Sequence, residues 1–232
     1  MSFDSGVIVD TFPKLLTGAV LTVQLVALSG LGGLALAFPI GIARSSRRPW
    51  VRALPWCYIF FFRGTPLLVQ LFLVYYGLSQ FSSIRHSELL WPYLRDPYWC
   101  ALIAMSMNTA AYIAEILRGA LQAVPRGEIE AAIAVGMSKT QILRRILVPR
   151  AVRIGLPAYS NEVILMLKGS ALASTITLLE LTGMARTIIA ETYMPVEIFL
   201  AAGACYLAIS FLMVRTFKLV ENILNRHLRH AR

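Results

Sequence analysis

The sequence is poor in charge. Only 15% of its 232 residues are Asp, Glu, Lys or Arg, against about a quarter in an ordinary soluble domain. Acids are the scarcer sign, 12 against 22 Lys and Arg. Cysteine is nearly absent. Cys57, Cys100 and Cys205 sit in separate apolar runs, without the paired spacing of a disulfide framework or a metal site, and read as small buried hydrophobes. His86, His227 and His230 are scattered too, with no ligand spacing. No phosphate-binding loop occurs. The nearest fragment, Gly136-Met137-Ser138-Lys139-Thr140, lacks the glycine before Lys and the glycine-rich cradle. GxSxG and HExxH are missing, which removes two familiar catalytic frameworks. The chain is therefore expected not to be an enzyme and to bind no metal or cofactor itself.

What the sequence has instead is length without charge. Its mean hydropathy is +0.66, and Leu15–Ala43 runs 29 residues with no ionisable side chain. That is enough to cross a hydrocarbon core of about 30 Å. Similar runs over about 54–81, 98–124, 154–178 and 196–219 predict an all-α membrane protein. It is read as one domain over residues 1–232, with five transmembrane helices. Gly30, Gly32 and Gly33 would let a neighbouring helix approach the first span closely. The residues MSFDSGVIVDTF at the start have no basic n-region or cleavage site, so the first span is expected to be retained. Trp91, Tyr93, Tyr98 and Trp99 read as an interfacial aromatic belt.

Lys and Arg number 15 in segments 44–54, 123–153 and 215–232, against 4 in 1–16, 81–97 and 180–196. The richer side faces the cytoplasm, giving a periplasmic N-terminus and a cytoplasmic C-terminus. The net charge of +10 is thus accounted for by topology, and no nucleic-acid partner is expected. Five spans also leave no room for two equal inverted repeats, which counts against a secondary transporter of that build.

Polar residues inside the spans are the candidate chemistry, because intramembrane charge is expensive. Arg63-Gly64-Thr65-Pro66, with Gln70 a turn later, reads as a broken helix. It is either a plain Pro–Gly break with Arg63 snorkelling, or a cation beside a substrate path. Asn108 lies in the third span. Glu115 and Arg118, at i and i+3, can pair on one helix face. The fourth span is the most polar, with Asn161, Glu162, Lys168, Ser170 and Ser174. Glu162 and Lys168 are rotated by about 240° on a straight helix, so they point about 120° apart and each needs another partner. Inter-helix adhesion and recognition of an amino group both remain open for this span.

The cytoplasmic stretch Glu130–Pro149 carries its own pattern. Ile129, Ala132 and Ile133 repeat at helical spacing, as do Ile142, Leu143, Ile146 and Leu147. Gly136 stands where a short helix would stop and turn, and Pro149 is expected to break the second one. Arg144, Arg145, Arg150 and Arg153 suit an anionic lipid surface. A lipid anchor leaves Glu128, Glu130 and the Gly turn unexplained. A shaped knob for a partner's groove explains them.

These residues resemble a known family. EAA, three residues, Gly, nine residues, then Ile-x-Leu-Pro is the signature loop of ABC importer permeases. It stands here as Glu130-Ala131-Ala132, Gly136, Ile146, Val148 and Pro149, with Val148 in place of Leu. FRGTPLLVQLF (62–72) and YIAEILRGALQAVPRGEIEAA (112–132) are similar to its polar amino-acid branch. LPAYSNEVILMLKGSAL (156–172) looks like the histidine/lysine–arginine–ornithine permeases and their opine relatives. The resemblance covers about residues 12–220.

It implies an inner-membrane permease subunit that carries a basic amino acid of the arginine, ornithine, lysine or histidine class, or an opine or another polar amino acid. The partners it implies are an ATPase dimer holding ATP and Mg, a second and different permease subunit, and a periplasmic amino-acid-binding protein. Glu128, Glu130, Ala131, Ala132, Gly136, Met137 and Ser138 would couple to the ATPase. Asn161, Glu162, Lys168, Ser170, Arg63, Thr65, Gln70 and Asn108 would line the substrate path. An ATP-independent channel or scaffold would explain the spans but not the structured loop.

Overall fold

The computed structural model describes residues 5–44, 46 and 48–224. The start of the chain and the basic tail, with His227 and His230, lie outside the described residues, although the charge count drew on both.

Every regular element among the described residues is helical, because helices satisfy their own backbone groups where no water is present. Helix α1 spans Ser5–Arg44, α2 Pro49–Gly64 and α3 Leu67–Phe72. Short helices α4, Ser82–Arg85, and α5, Trp91–Leu94, lead into α6, Pro97–Gln122. Asp96 caps α6, its side chain accepting from Tyr98 N at 2.9 Å, and Pro97 occupies the first turn, where its missing N–H costs nothing. Then follow α7, Arg126–Ala134, α8, Lys139–Ile142, α9, Val148–Gly169, α10, Leu181–Thr192, and α11, Pro195–Leu224.

Helices α1, α6 and α11 are each long and apolar enough to cross a membrane. Two bent pairs, α2 with residues 67–80 and residues 139–176 with α10, bring the number to five if each pair is one crossing. The second span, expected as one run over 54–81, begins at Pro49 and turns by 107° after Gly64. The expected helix stop at Pro149 is absent. A π-helical turn over Leu143–Leu147 widens the backbone ahead of it. That relieves the contact between the proline ring and the carbonyl four residues back, and the helix continues into α9. Segment 180–196, expected as a connecting loop, contains α10.

The core forms where α1, α6 and α9 meet. The buried face of α6 is rich in small residues, Cys100, Ala101, Ala104, Ala110, Ala111 and Ala114, beside the larger Met105 and Ile113, and the small ones let backbones approach. The glycines of α1 complete that fit. A Cβ on Gly32 would sit 2.8 Å from Ser106 Oγ, and one on Gly33 2.9 Å from Thr109 Cγ2. A second cluster packs Leu15 and Ala19 of α1 against Leu181, Ala185 and Ile188 of α10 and Ile198 of α11.

Candidate functional site

The break after Gly64 leaves backbone groups that need partners. Thr65 is extended and Pro66 has no N–H, so Phe62 O, near the end of α2, has no backbone donor. Gln70 supplies the missing donor: its Nε2 donates to Phe62 O at 2.9 Å, to Thr65 O at 3.0 Å and to Thr65 Oγ1 at 2.8 Å. Asn108 of α6 adds a second donor to Phe62 O at 3.3 Å and bonds Gln70 Oε1 at 2.9 Å. Thr65 Oγ1 in turn donates to Phe61 O at 2.8 Å. The expected trio Thr65, Gln70 and Asn108 is therefore one network holding the turn open, with Gln70 buried at 2% exposure.

Asn108 also faces a cavity of about 230 Å³, with Leu67, Met105, Tyr112, Glu162 and Met166 among its walls. Glu162 is buried, at 7% exposure. Among the described residues its carboxylate makes no ion pair. It lies within electrostatic reach of Arg63. Helical geometry separates its sequence neighbours from it. Asn161, about 100° round α9, lines a different groove against α11, with Phe217 and Lys218. Lys168 is exposed. Ser170 is fully buried and donates to Leu167 O at 2.7 Å.

Tyr112 is a wall shared with a second cavity, an open one of about 430 Å³, lined by Arg44, Trp56, Phe60, Arg63 and Glu115. The Arg63 guanidinium lies 5.2 Å from the Tyr112 ring centre, a cation–π distance. Glu115 and Arg118 pair as their spacing predicts, Arg118 Nε donating to Glu115 Oε1 at 2.8 Å. Arg118 Nη1 also reaches Gln122 Oε1 at 2.7 Å.

The loop between α6 and α9 is well formed. Just past the end of α7 stands Gly136, whose φ is +79°, the left-handed region open to glycine. Gly136 N donates to Ile133 O and Met137 N to Ala132 O, both at 3.0 Å. This is a Schellman closure. Ser138 then caps α8 reciprocally: Gln141 N donates to Ser138 Oγ at 3.3 Å, and Ser138 N to Gln141 Oε1 at 2.8 Å, a capping box. Ala132 is buried, whereas Glu130, Ala131 and Gly136 are exposed, with Ile133 and Val135 at 60% and 78%. Glu128 accepts from Arg150 Nη2 at 2.8 Å and Nε at 3.1 Å, which ties α7 back to the start of α9. Arg150, expected at the lipid surface, serves this pair.

One polar centre escaped sequence reasoning. Glu180 is fully buried and caps α10, accepting from Gly183 N at 2.9 Å. Its other oxygen accepts from Tyr206 OH of α11 at 2.8 Å and from Thr22 Oγ1 of α1 at 3.3 Å. Thr22 Oγ1 accepts from Leu181 N at 3.0 Å. Glu is not among the residues that mark helix starts, so nothing in the sequence flagged it.

With this geometry in hand, comparisons with known proteins are specific. Residues 29–226 match the family of binding-protein-dependent transport system inner membrane components. The octopine transport system permease protein of Rhizobium meliloti is 54% identical over 95% of this chain and 90% of its own length. The histidine/lysine/arginine/ornithine transport system permease protein of Escherichia coli K12 is 42% identical over 93% and 90%. Among solved structures, an amino acid ABC transporter with histidines superposes with a TM-score of 0.85 at 32% identity, covering 96% of this chain and 99% of that one.

Proposed function

The chain belongs to the binding-protein-dependent transport system inner membrane component family, and from that premise we propose that it is the permease subunit through which a basic amino acid, or an opine built on one, enters the cell. Members of this family are membrane subunits of ABC importers, and ATP hydrolysis takes place in a separate subunit. The single observation that carries the cationic substrate is Glu162. It is a buried carboxylate with no ion pair among the described residues, facing a cavity beside Asn108 and Tyr112. A carboxylate placed so within a membrane needs a cation to complete it, and a guanidinium or ammonium group of the substrate supplies one. The octopine permease of Rhizobium meliloti, at 54% identity, supports the opine side of this reading.

In this reading residues 1–232 form one domain with five crossings, each bent pair counting as one, the N-terminus periplasmic and the C-terminus cytoplasmic. The path runs between Glu162, Asn108 and Arg63, with Thr65 and Gln70 keeping the broken span open and Ser170 behind it. Asn161 and Lys168, outside that cavity, join the path only on the side shared with a second, different permease subunit. A periplasmic binding protein delivers the substrate. Glu128, Glu130, Ala131, Ala132, Gly136, Met137 and Ser138 form the knob that enters a groove of the ATPase dimer, where ATP and Mg are held. The exposed Ile133 and Val135 provide its apolar contact.

The test is uptake by the reconstituted four-component importer in proteoliposomes, with labelled arginine, ornithine, histidine and octopine. Glu162→Gln removes the charge and keeps the shape. Uptake of the cationic substrates should fall about tenfold or more, as for loss of a charged hydrogen-bond partner. Unchanged uptake of all four compounds by Glu162→Gln removes Glu162 from the path.

A further inference from the structure

The second cavity, on the far side of Tyr112, has a charge balance opposite to that of the Glu162 cavity. Arg44 and Arg63 both line it. Among the described residues Arg44 Nε is buried without a hydrogen-bond partner, a costly state for a guanidinium donor. Arg63 is exposed, makes no ion pair among the described residues and lies over the Tyr112 ring. The acid on this wall, Glu115, lies within electrostatic reach of both but is already held by Arg118. Three guanidinium groups thus face Glu115, Arg63 being also within reach of Glu162 beyond Tyr112, and against these two carboxylates the surplus is still positive.

We propose that Arg44 and Arg63 form a carboxylate subsite, which receives the carboxylate of the transported amino acid or opine while its cationic end is held at Glu162. This rests on the basic-substrate reading above and adds the recognition of the other end of the molecule. The two cavities lie in series along α6. Asn108 on one and Glu115 on the other are seven residues apart, about 10 Å along the axis, and Tyr112 between them belongs to both. An arginine laid along α6 meets a carboxylate at one end and two guanidinium groups at the other, the fork geometry that guanidinium and carboxylate share. The same pair of arginines could in chemistry hold a lipid phosphate, and the experiment separates the two.

Binding is measured on the purified permease–ATPase assembly in nanodiscs, without the binding protein, using L-arginine and agmatine. Agmatine is arginine lacking its carboxylate. The wild type should prefer arginine by about tenfold or more, as for a charged hydrogen-bonded contact. Arg63→Gln and Arg44→Gln should each reduce that preference to about threefold or less, by weakening arginine binding while agmatine, relieved of a like charge, binds as well or better. Arg63→Lys keeps the charge but loses the fork, and should fall between wild type and Arg63→Gln. It also serves if the glutamine variant does not assemble.

An arginine-to-agmatine ratio unchanged in both glutamine variants overturns the subsite while the transport reading stands. Loss of co-purifying phosphatidylglycerol from those variants with the ratio unchanged gives the arginines to lipid, and also overturns it. No binding of either compound to the wild type sinks the basic-substrate reading and the subsite together. Glu162→Gln separates the two ideas, because it should weaken arginine and agmatine alike.

Discussion

Gln70 Nε2 lies 2.9 Å from Phe62 O, one of the last carbonyls of α2, which the extended Thr65 leaves without a backbone donor. The side chain thus replaces a backbone donor at a 107° turn. Gln70→Leu keeps the volume and removes the donor, leaving Thr65 O without that bond and Phe62 O with only the longer one from Asn108. An orphaned carbonyl costs about 1–3 kcal/mol when buried, and only the part-buried Thr65 O loses its partner outright, so the variant should lose about 1–3 kcal/mol of stability, read as a lower unfolding midpoint in an SDS titration. A midpoint equal to the wild type would mean that water satisfies the turn.

Such a replacement shows what the sequence could and could not disclose. The turn itself was legible, because glycine and proline act through their own backbones. Helices α1, α6 and α11 were legible because a long charge-free run has few alternatives. The Gly136 turn was legible for the same local reason. Pro149 was misread because the π turn at 143–147, which makes room for it, carries no residue signature. Helix α10 was missed because Thr182, Arg186, Thr187 and Glu191 make it look like a polar loop. Its buried stripe of Leu181, Ala185 and Ile188 acquires meaning only against α1. Asn161 and Glu162 were grouped as neighbours in sequence, although helical rotation alone turns them to different surroundings.

Glu180 joins three helices through Thr22, Gly183 and Tyr206, so its effect should be cooperative. Glu180→Ala removes every acceptor and should cost about 2–4 kcal/mol. Tyr206→Phe removes one donor and should cost about 0.5–1.5 kcal/mol. A double-mutant cycle of the two should show a coupling of about 0.5–3 kcal/mol, read from detergent melting of the purified chain. Strict additivity would show that the hydroxyl and the carboxylate act independently, against the distances seen.

Two glycines predict opposite signs. A Cβ at Gly183 would fall 2.2 Å from Leu178 O, a backbone atom in the bend between α9 and α10. Gly183→Ala must displace that bend and should destabilise the chain by about 1–3 kcal/mol. A Cβ at Gly119, inside α6, meets nothing within 4 Å. Gly119→Ala should stabilise the isolated chain by about 0.5–1 kcal/mol through helix propensity. Melting both variants side by side tests the pair, and a destabilised Gly119→Ala would reveal a neighbour that the single chain does not contain.

Gly136 separates conformational need from steric need. Its φ of +79° disfavours any side chain, yet the space around its Cβ direction is open. Substitution therefore acts on the pose of α7 rather than through a clash. Asn tolerates the left-handed region, Ala less well, and a β-branched residue worst of all. If α7 delivers the stroke of the ATPase, transport per ATP hydrolysed should fall in the order Gly, Asn, Ala, Val. Membrane insertion and the melting of α1, α6 and α11 should stay near wild type, because the strain of about 1–2 kcal/mol is confined to an exposed turn. The measurement is substrate-stimulated ATPase activity beside uptake in proteoliposomes. A Gly136→Val importer that couples as well as wild type would show that the Schellman turn does not set the coupling geometry. The contact would then have to reside in Glu128 and the α8 cap, which a variant at Gly136 leaves in place.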